Sequence, residues 1–176
     1  MGIIRISALF MLLLVLIGGC NGTAREGSFE AWDEGFECEI CWKDASGRYR
    51  AKLLAKEMKE GKRELTMNFI EPDTLSGVSA ELVDGEIKLS LGDMEAENVK
   101  SFGIFDVAEL FEGGKIISKD SVSLAGERSV LLKIEAEDGE EREIYLAENK
   151  EPRKIHGRVN GRNIEMEVIW FEKRGS

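Results

Sequence analysis

The chain is poor in the residues on which many enzymes and metal proteins are built. It has one histidine, three cysteines and two prolines among 176 residues. With His156 alone, neither an H-E-x-x-H helix nor a four-ligand centre of Cys and His can be assembled. No G-x-S-x-G elbow and no P-loop occur, so no enzyme is expected, and neither a metal nor a cofactor. Positive charge is also short, with 24 basic against 34 acidic residues and a net charge of −10. Nucleic acid and anionic lipid headgroups are poor partners for such a chain. No proline-rich or serine-rich linker divides the sequence, which predicts a single domain after its first residues.

Those first residues hold the long apolar run. Met1 to Gly19 reads MGIIRISALFMLLLVLIGG, with Arg5 as a one-charge start and Ile6 to Ile17 as a short apolar core. A membrane-spanning helix needs about 20 apolar residues, so residues 1–19 are read as an export signal and left out of the fold. Ile17-Gly18-Gly19-Cys20 resembles the lipobox of bacterial lipoproteins. The resemblance implies cleavage before Cys20 and a diacylglycerol thioether on its sulfur. Two acyl chains, at about 0.8 kcal/mol per buried CH₂, hold a protein stably at a membrane. Residues 20–28 then form a lipidated tether of at most roughly 30 Å, and 29–174 the domain. Without Arg5 the mature chain has 23 basic and 34 acidic residues, or −11. The expected location is the extracytoplasmic face of the cell membrane.

The rest reads as strands. In VSAELVDGEIKLSL an Asp84-Gly85 turn sets Leu82 against Ile87 and Ala80 against Leu89, with Glu81 and Lys88 on the other face. In KIHGRVNGRNIEMEVIW an Asn160-Gly161 turn pairs Ile155 with Met166 and His156 with Glu165. In VLLKIEAEDGEEREIYLA a loop of Asp138 to Glu140 would match Ile134 with Ile144 and Leu132 with Leu146, with Gly139 left-handed. Phe36, Cys38, Ile40 and Trp42 alternate, as do Tyr49, Ala51, Leu53 and Ala55, and then Leu65, Met67 and Phe69 before Pro72 ends the strand. A weaker strand lies within 116–124. Eight or nine antiparallel strands on short turns make a meander that curls toward a half-barrel.

One segment breaks the alternation. In SFGIFDVAELFEGG, Ile104, Val107, Ala108 and Phe111 recur at helical spacing, and Gly113-Gly114 is a stop signal. A short helix within 101–112 is therefore expected to cover the sheet's apolar face. The fold class is mainly β with minor α, a curled antiparallel half-barrel meander covered by a short helix.

Chemistry-bearing groups are few. Cys38-Glu39-Ile40-Cys41 is a C-x-x-C without a second pair. It reads as two buried thiols, as a disulfide that would need a bulge, or as a redox or metal pair for which partners are missing. His156 opposite Glu165 reads as a solvated pair. Glu95 and Glu97 near Asp93 lack an EF-hand loop.

The order of lipobox, tether, curled strands, the MNFIEPDTLSGV passage from strand through proline to hairpin, and one inserted helix resembles the LolA-like superfamily over residues 28–172. That resemblance implies an open half-barrel whose concave face receives acyl chains. The face would be lined by Ile40, Leu53, Met67, Leu89, Leu132 and Trp170, with Ile104 and Phe111 from the helix. The same residues would equally make a filled core. Two functions are thus expected of such a chain. One is a lipid or hydrophobic-ligand binder anchored through Cys20. The other is an envelope module that meets a protein partner and holds no ligand.

Overall fold

The computed structural model describes residues 28–29, 32, 35–44, 47–57, 63–97, 99, 103 and 105–174. The signal segment 1–19, Cys20, most of the tether and Ile104 lie outside the described residues.

The elements run β1 (Ser28–Phe29), β2 (Phe36–Asp44), β3 (Gly47–Ala55), β4 (Leu65–Glu71), β5 (Ser79–Val83), β6 (Glu86–Leu91), β7 (Met94–Ala96), α1 (Asp106–Glu109), β8 (Gly114–Leu124), β9 (Glu127–Ala136), β10 (Glu141–Leu146), β11 (Pro152–Val159) and β12 (Arg162–Lys173). All strands join one open, curled, antiparallel sheet in the order β1-β8-β9-β10-β11-β12-β2-β3-β4-β5-β6-β7. It comprises two meanders, β2 to β7 and β8 to β12, joined where β12 pairs with β2. Among the described residues there are twelve strands, against the eight or nine expected. β1 and β7 are too short to show alternation, and β8 reads as mostly polar.

Two hairpins form in the expected registers. Leu82 lies opposite Ile87 and Ala80 opposite Leu89, and Ile155 lies opposite Met166 with His156 opposite Glu165. Asp84-Gly85 and Asn160-Gly161 both take positive φ, the backbone twist a two-residue hairpin needs. The β9–β10 hairpin differs. Ile134 faces Arg142 and Leu132 faces Ile144, so the strands are offset by two residues from the expected pairing. A two-residue offset keeps every side chain on its face, and alternation alone does not detect it. Gly139 is left-handed as expected, at φ 79°.

Asp106–Glu109 is one α-helical turn, and bonds to carbonyls three residues back, from Ala108, Phe111 and Glu112, tighten its ends. Gly103, at φ 74°, breaks the helical backbone before it. The turn nonetheless covers the sheet, burying Val107, Ala108, Leu110 and Phe111.

Trp170 is a correction. A bulge between Val168 and Trp170 shifts the alternation of β12, so Phe171 pairs with Cys38 on the core side and Trp170 with Glu39 on the other. Phe171 is buried and Trp170 only half-buried, as expected of a residue the bulge turns to the opposite face.

Candidate functional site

The concave face has a covered part and an open part. Under α1, Trp32, Phe36, Phe111 and Phe171 form an aromatic cluster, with Phe36 and Phe171 stacked at 5.2 Å and Trp32 edge-on to Phe111 at 5.4 Å. Ile40, Leu53, Met67 and Phe111 are fully buried in one core, and Leu132 nearly so.

Polar contacts hold α1 at both ends. Asp106, 4% exposed, accepts from the Arg162 guanidinium and, at 3.2 Å, from Asn160 Nδ2. Arg142 is 1% exposed and donates to the Glu109 carbonyl, one of the acceptors a helix end leaves open. Its other terminal nitrogen lies 3.4 Å from Asp138. The arginine passes beside Gly157, where a Cβ would stand 2.8 Å from Leu110 and 3.0 Å from the Arg142 stem. Burial pushes the Glu109 and Glu112 carboxyls upward, against the opposing pull of Arg142 on both. Arg142 shares the inward phase of Ile144 and Leu146 along β10, and this alternation is the signal by which its inward position could have been read.

The open part lies on β5 to β7. Ala80, Leu89 and Ala96 stand in one cross-strand row, and Leu91 faces Met94 across a Gly92-Asp93 turn. With Leu82 and Ile87 these residues continue the inner face. Ile87 is buried, Leu82 and Leu89 are half-buried, Leu91 is 43% exposed and Met94 67%. The apolar ladder therefore passes out from its cover toward β7, the last strand of the sheet. Of the expected lining residues, Leu89 stands in this open part and Ile40, Leu53, Met67, Leu132 and Phe111 in the core. Leu91 and Met94 were missed. The signal for them is the continued alternation of LSLGDMEA across a two-residue turn.

Cys38 and Cys41 are free and buried on a continuous strand, Cys38 on the core side with Phe36 and Ile40 and Cys41 on the opposite face. Burial pushes the Cys38 thiol far above its ordinary range. Cys41 Sγ accepts from Arg48 Nε at 3.1 Å and lines a cleft of about 190 Å³ with Arg48, Glu165 and Glu167. A second cleft of about 430 Å³ lies between Glu127, Arg128, Glu148 and Arg153. His156 is exposed, and its cross-strand neighbour Glu165 is engaged by Lys154. Among the described residues no group of three or more His, Cys, Asp or Glu could hold a metal ion, and no helix is long and apolar enough to cross a membrane.

No family model matches the chain, and no curated protein matches it. Several solved structures are similar in outline. An uncharacterised conserved protein of Thermus thermophilus is 12% identical, with a TM-score of 0.49, 82% of this chain covered and 81% of that one. A LolA superfamily protein of Nitrosomonas europaea is 10% identical, with a TM-score of 0.39 and coverages of 82% and 88%. The MucA/MucB complex of Pseudomonas aeruginosa supplies a third, 14% identical with a TM-score of 0.45, where 82% of this chain spans 54% of the matched one.

Proposed function

We propose that this is a non-enzymatic lipoprotein of the cell envelope, anchored through Cys20, that takes a lipid or other hydrophobic ligand at the open end of its concave face. The observation that carries the reading is the run of inward-facing apolar residues from buried Ile87 to exposed Met94. Contiguous apolar surface left in water marks a binding site more often than an accident of folding. The lipobox supports the anchor, and the shortage of catalytic residue types supports a binding role. A second reading, an envelope module that meets a protein without an internal ligand, is favoured by the full burial of Ile40, Leu53 and Met67, which fills the middle of the half-barrel.

Titration with a fluorescent acyl probe tests the site. Met94→Asp and Leu91→Asp should each weaken probe binding while leaving the far-ultraviolet spectrum unchanged. Native mass spectrometry of the protein from its own membrane should show an added hydrophobic mass that these variants lose. Probe binding unchanged by both substitutions would remove the open end as the site. Cys20→Ala should abolish fatty-acid labelling and leave uncleaved precursor, and equal labelling of the variant would remove the anchor.

A further inference from the structure

β8 is a long strand with little on its outer side. Its 11 residues lie along β9 on one side. On the other, β1 adds only two pairs, Ser28 with Lys115 and Phe29 with Gly114. Among the described residues nothing pairs with the outer edge from Ile116 to Leu124. The two-residue turn Ala125-Gly126 makes Leu124 and Glu127 a hydrogen-bonded pair. By alternation the N–H and C=O groups of Lys119, Ser121 and Ser123 then point away from β9. All three residues are exposed. A long row of unpaired backbone groups invites another strand, and only the bulge at Ile117 and the charges of Lys119 and Asp120 blunt this one.

We infer that residues 20–27 continue β1 along this edge and seat Cys20 at the end of β8, beside the β8–β9 turn. Direction and length carry the inference. β1 runs antiparallel to β8, so the chain before Ser28 leads from Lys115 toward Leu124. Eight residues run from Cys20 to Gly27 and nine from Ile116 to Leu124, of which the bulge takes Ile117 out of the count. Eight positions then meet eight. Gly27 falls opposite Ile116, Arg25 opposite Lys119, Thr23 opposite Ser121 and Cys20 opposite Leu124. Such a segment covers about 27 Å of strand, length that a free tether would leave as slack. The consequence for attachment rests on the reading of Cys20 as the lipid anchor. The domain is then mounted on the membrane by one rim and does not swing on a leash. That rim carries the β8–β9 and β10–β11 turns, with Arg128 and Arg153 beside them. Connections alternate between rims along each meander, so the β6–β7 turn, with Leu91 and Met94, lies on the opposite rim.

The test uses the full chain from its own membrane, placed in phosphatidylcholine nanodiscs. Thr23→Cys with Ser121→Cys should form a disulfide under mild oxidation, since pairing brings the two Cα atoms to about 5.5 Å. Thr23→Cys with Ser90→Cys, on β6, should not. Residue-resolved amide exchange gives a second reading. Thr23→Pro with Arg25→Pro withdraws ladder donors, and exchange at Lys119, Ser121 and Ser123 should rise at least about tenfold while β10 is unchanged. Lys119→Glu replaces the one like-charge pair, with Arg25, by an opposite pair and should slow exchange at Ser121. A fluorophore at Glu127→Cys should be quenched by spin-labelled lipid headgroups more strongly than one at Asp93→Cys. No cross-link, with equal exchange in the proline variant, overturns the docked segment. That result leaves the anchor reading standing, because fatty-acid labelling of the same preparation tests the anchor separately. Equal quenching at the two labels overturns the mounted orientation. Protection that survives the proline variant and grows with protein concentration would give the edge to a second copy, and that too overturns the inference.

Discussion

Phe36 and Phe111 meet with ring centroids 4.8 Å apart and planes 36° from parallel, both fully buried. One comes from the first long strand of the sheet and the other from the turn after α1. Phe111 is thus packed as core, and Phe111→Ala should cost about 3–5 kcal/mol in urea unfolding. A loss well under about 1 kcal/mol would mean that the α1 segment rests loosely on the sheet.

Arg142 is the second tie between sheet and cover. Arg142→Met keeps most of the buried volume and removes the donor to the Glu109 carbonyl. The cost expected for an acceptor left unmet in a buried setting is about 1–3 kcal/mol. Amide exchange over 106–112 should accelerate more than exchange in β2 or β12. Uniform acceleration along the chain would show that the arginine stabilises the sheet as a whole and does not tie down α1.

Glu112 gives a pH dependence. Burial raises its carboxyl, with the Arg142 and Arg63 charges pulling the other way. An acid whose folded pKa is raised contributes stability that is present below the unfolded value of about 4.3, and that contribution is lost as pH rises through the folded value. Glu112→Gln should therefore raise the melting temperature at neutral pH and bring no gain well below the carboxylate range. A variant less stable than the parent at neutral pH would mean that attraction to the two arginines outweighs burial.

Ala125 sits at φ 51° in the two-residue turn between β8 and β9, beside Gly126 at φ 87°. A left-handed alanine is disfavoured by contact of its Cβ with the backbone. Ala125→Asn should raise the stability of the protein by roughly 1 kcal/mol. A neutral or destabilising result, measured by the same unfolding curve, would show the strain to be already relaxed.

The same turn shows why some of the fold was legible in the sequence and some was not. Asp84-Gly85 and Asn160-Gly161 announce their hairpins by residue type, and the alternation on either side then sets the register. Ala125-Gly126 adopts the same positive-φ geometry without the usual residue, so the longest stretch of β8 reads as polar and weak. The offset of β9 against β10 preserves faces, and the bulge near Ile169 exchanges Trp170 for Phe171 in the core. Neither leaves a mark on the hydrophobic pattern. The site was legible in part for the same reasons. Leu89 follows from its hairpin. The exposure of Leu91 and Met94 depends on where the cover of α1 stops, a tertiary fact. The pairing of β12 with β2 also lies beyond any local pattern, since it unites the two ends of the domain.

That pairing has a kinetic consequence. Every other neighbouring pair of long strands is consecutive in sequence and can zip as a hairpin, whereas the seam brings Phe36 against Lys173 and must await closure of nearly the whole chain. The end of β12 lies beside the start of β2, and Arg174 N–H donates to the Gly35 carbonyl at 3.2 Å. A circular permutant that links these two ends by a tight turn, and opens the chain between β7 and β8, would make the seam as local as its neighbours. β1 aside, the eleven remaining strands would then follow one another in space as they do in sequence. Such a chain should refold faster than the natural order, with its gain in rate coming from the one contact that the present connectivity leaves for last.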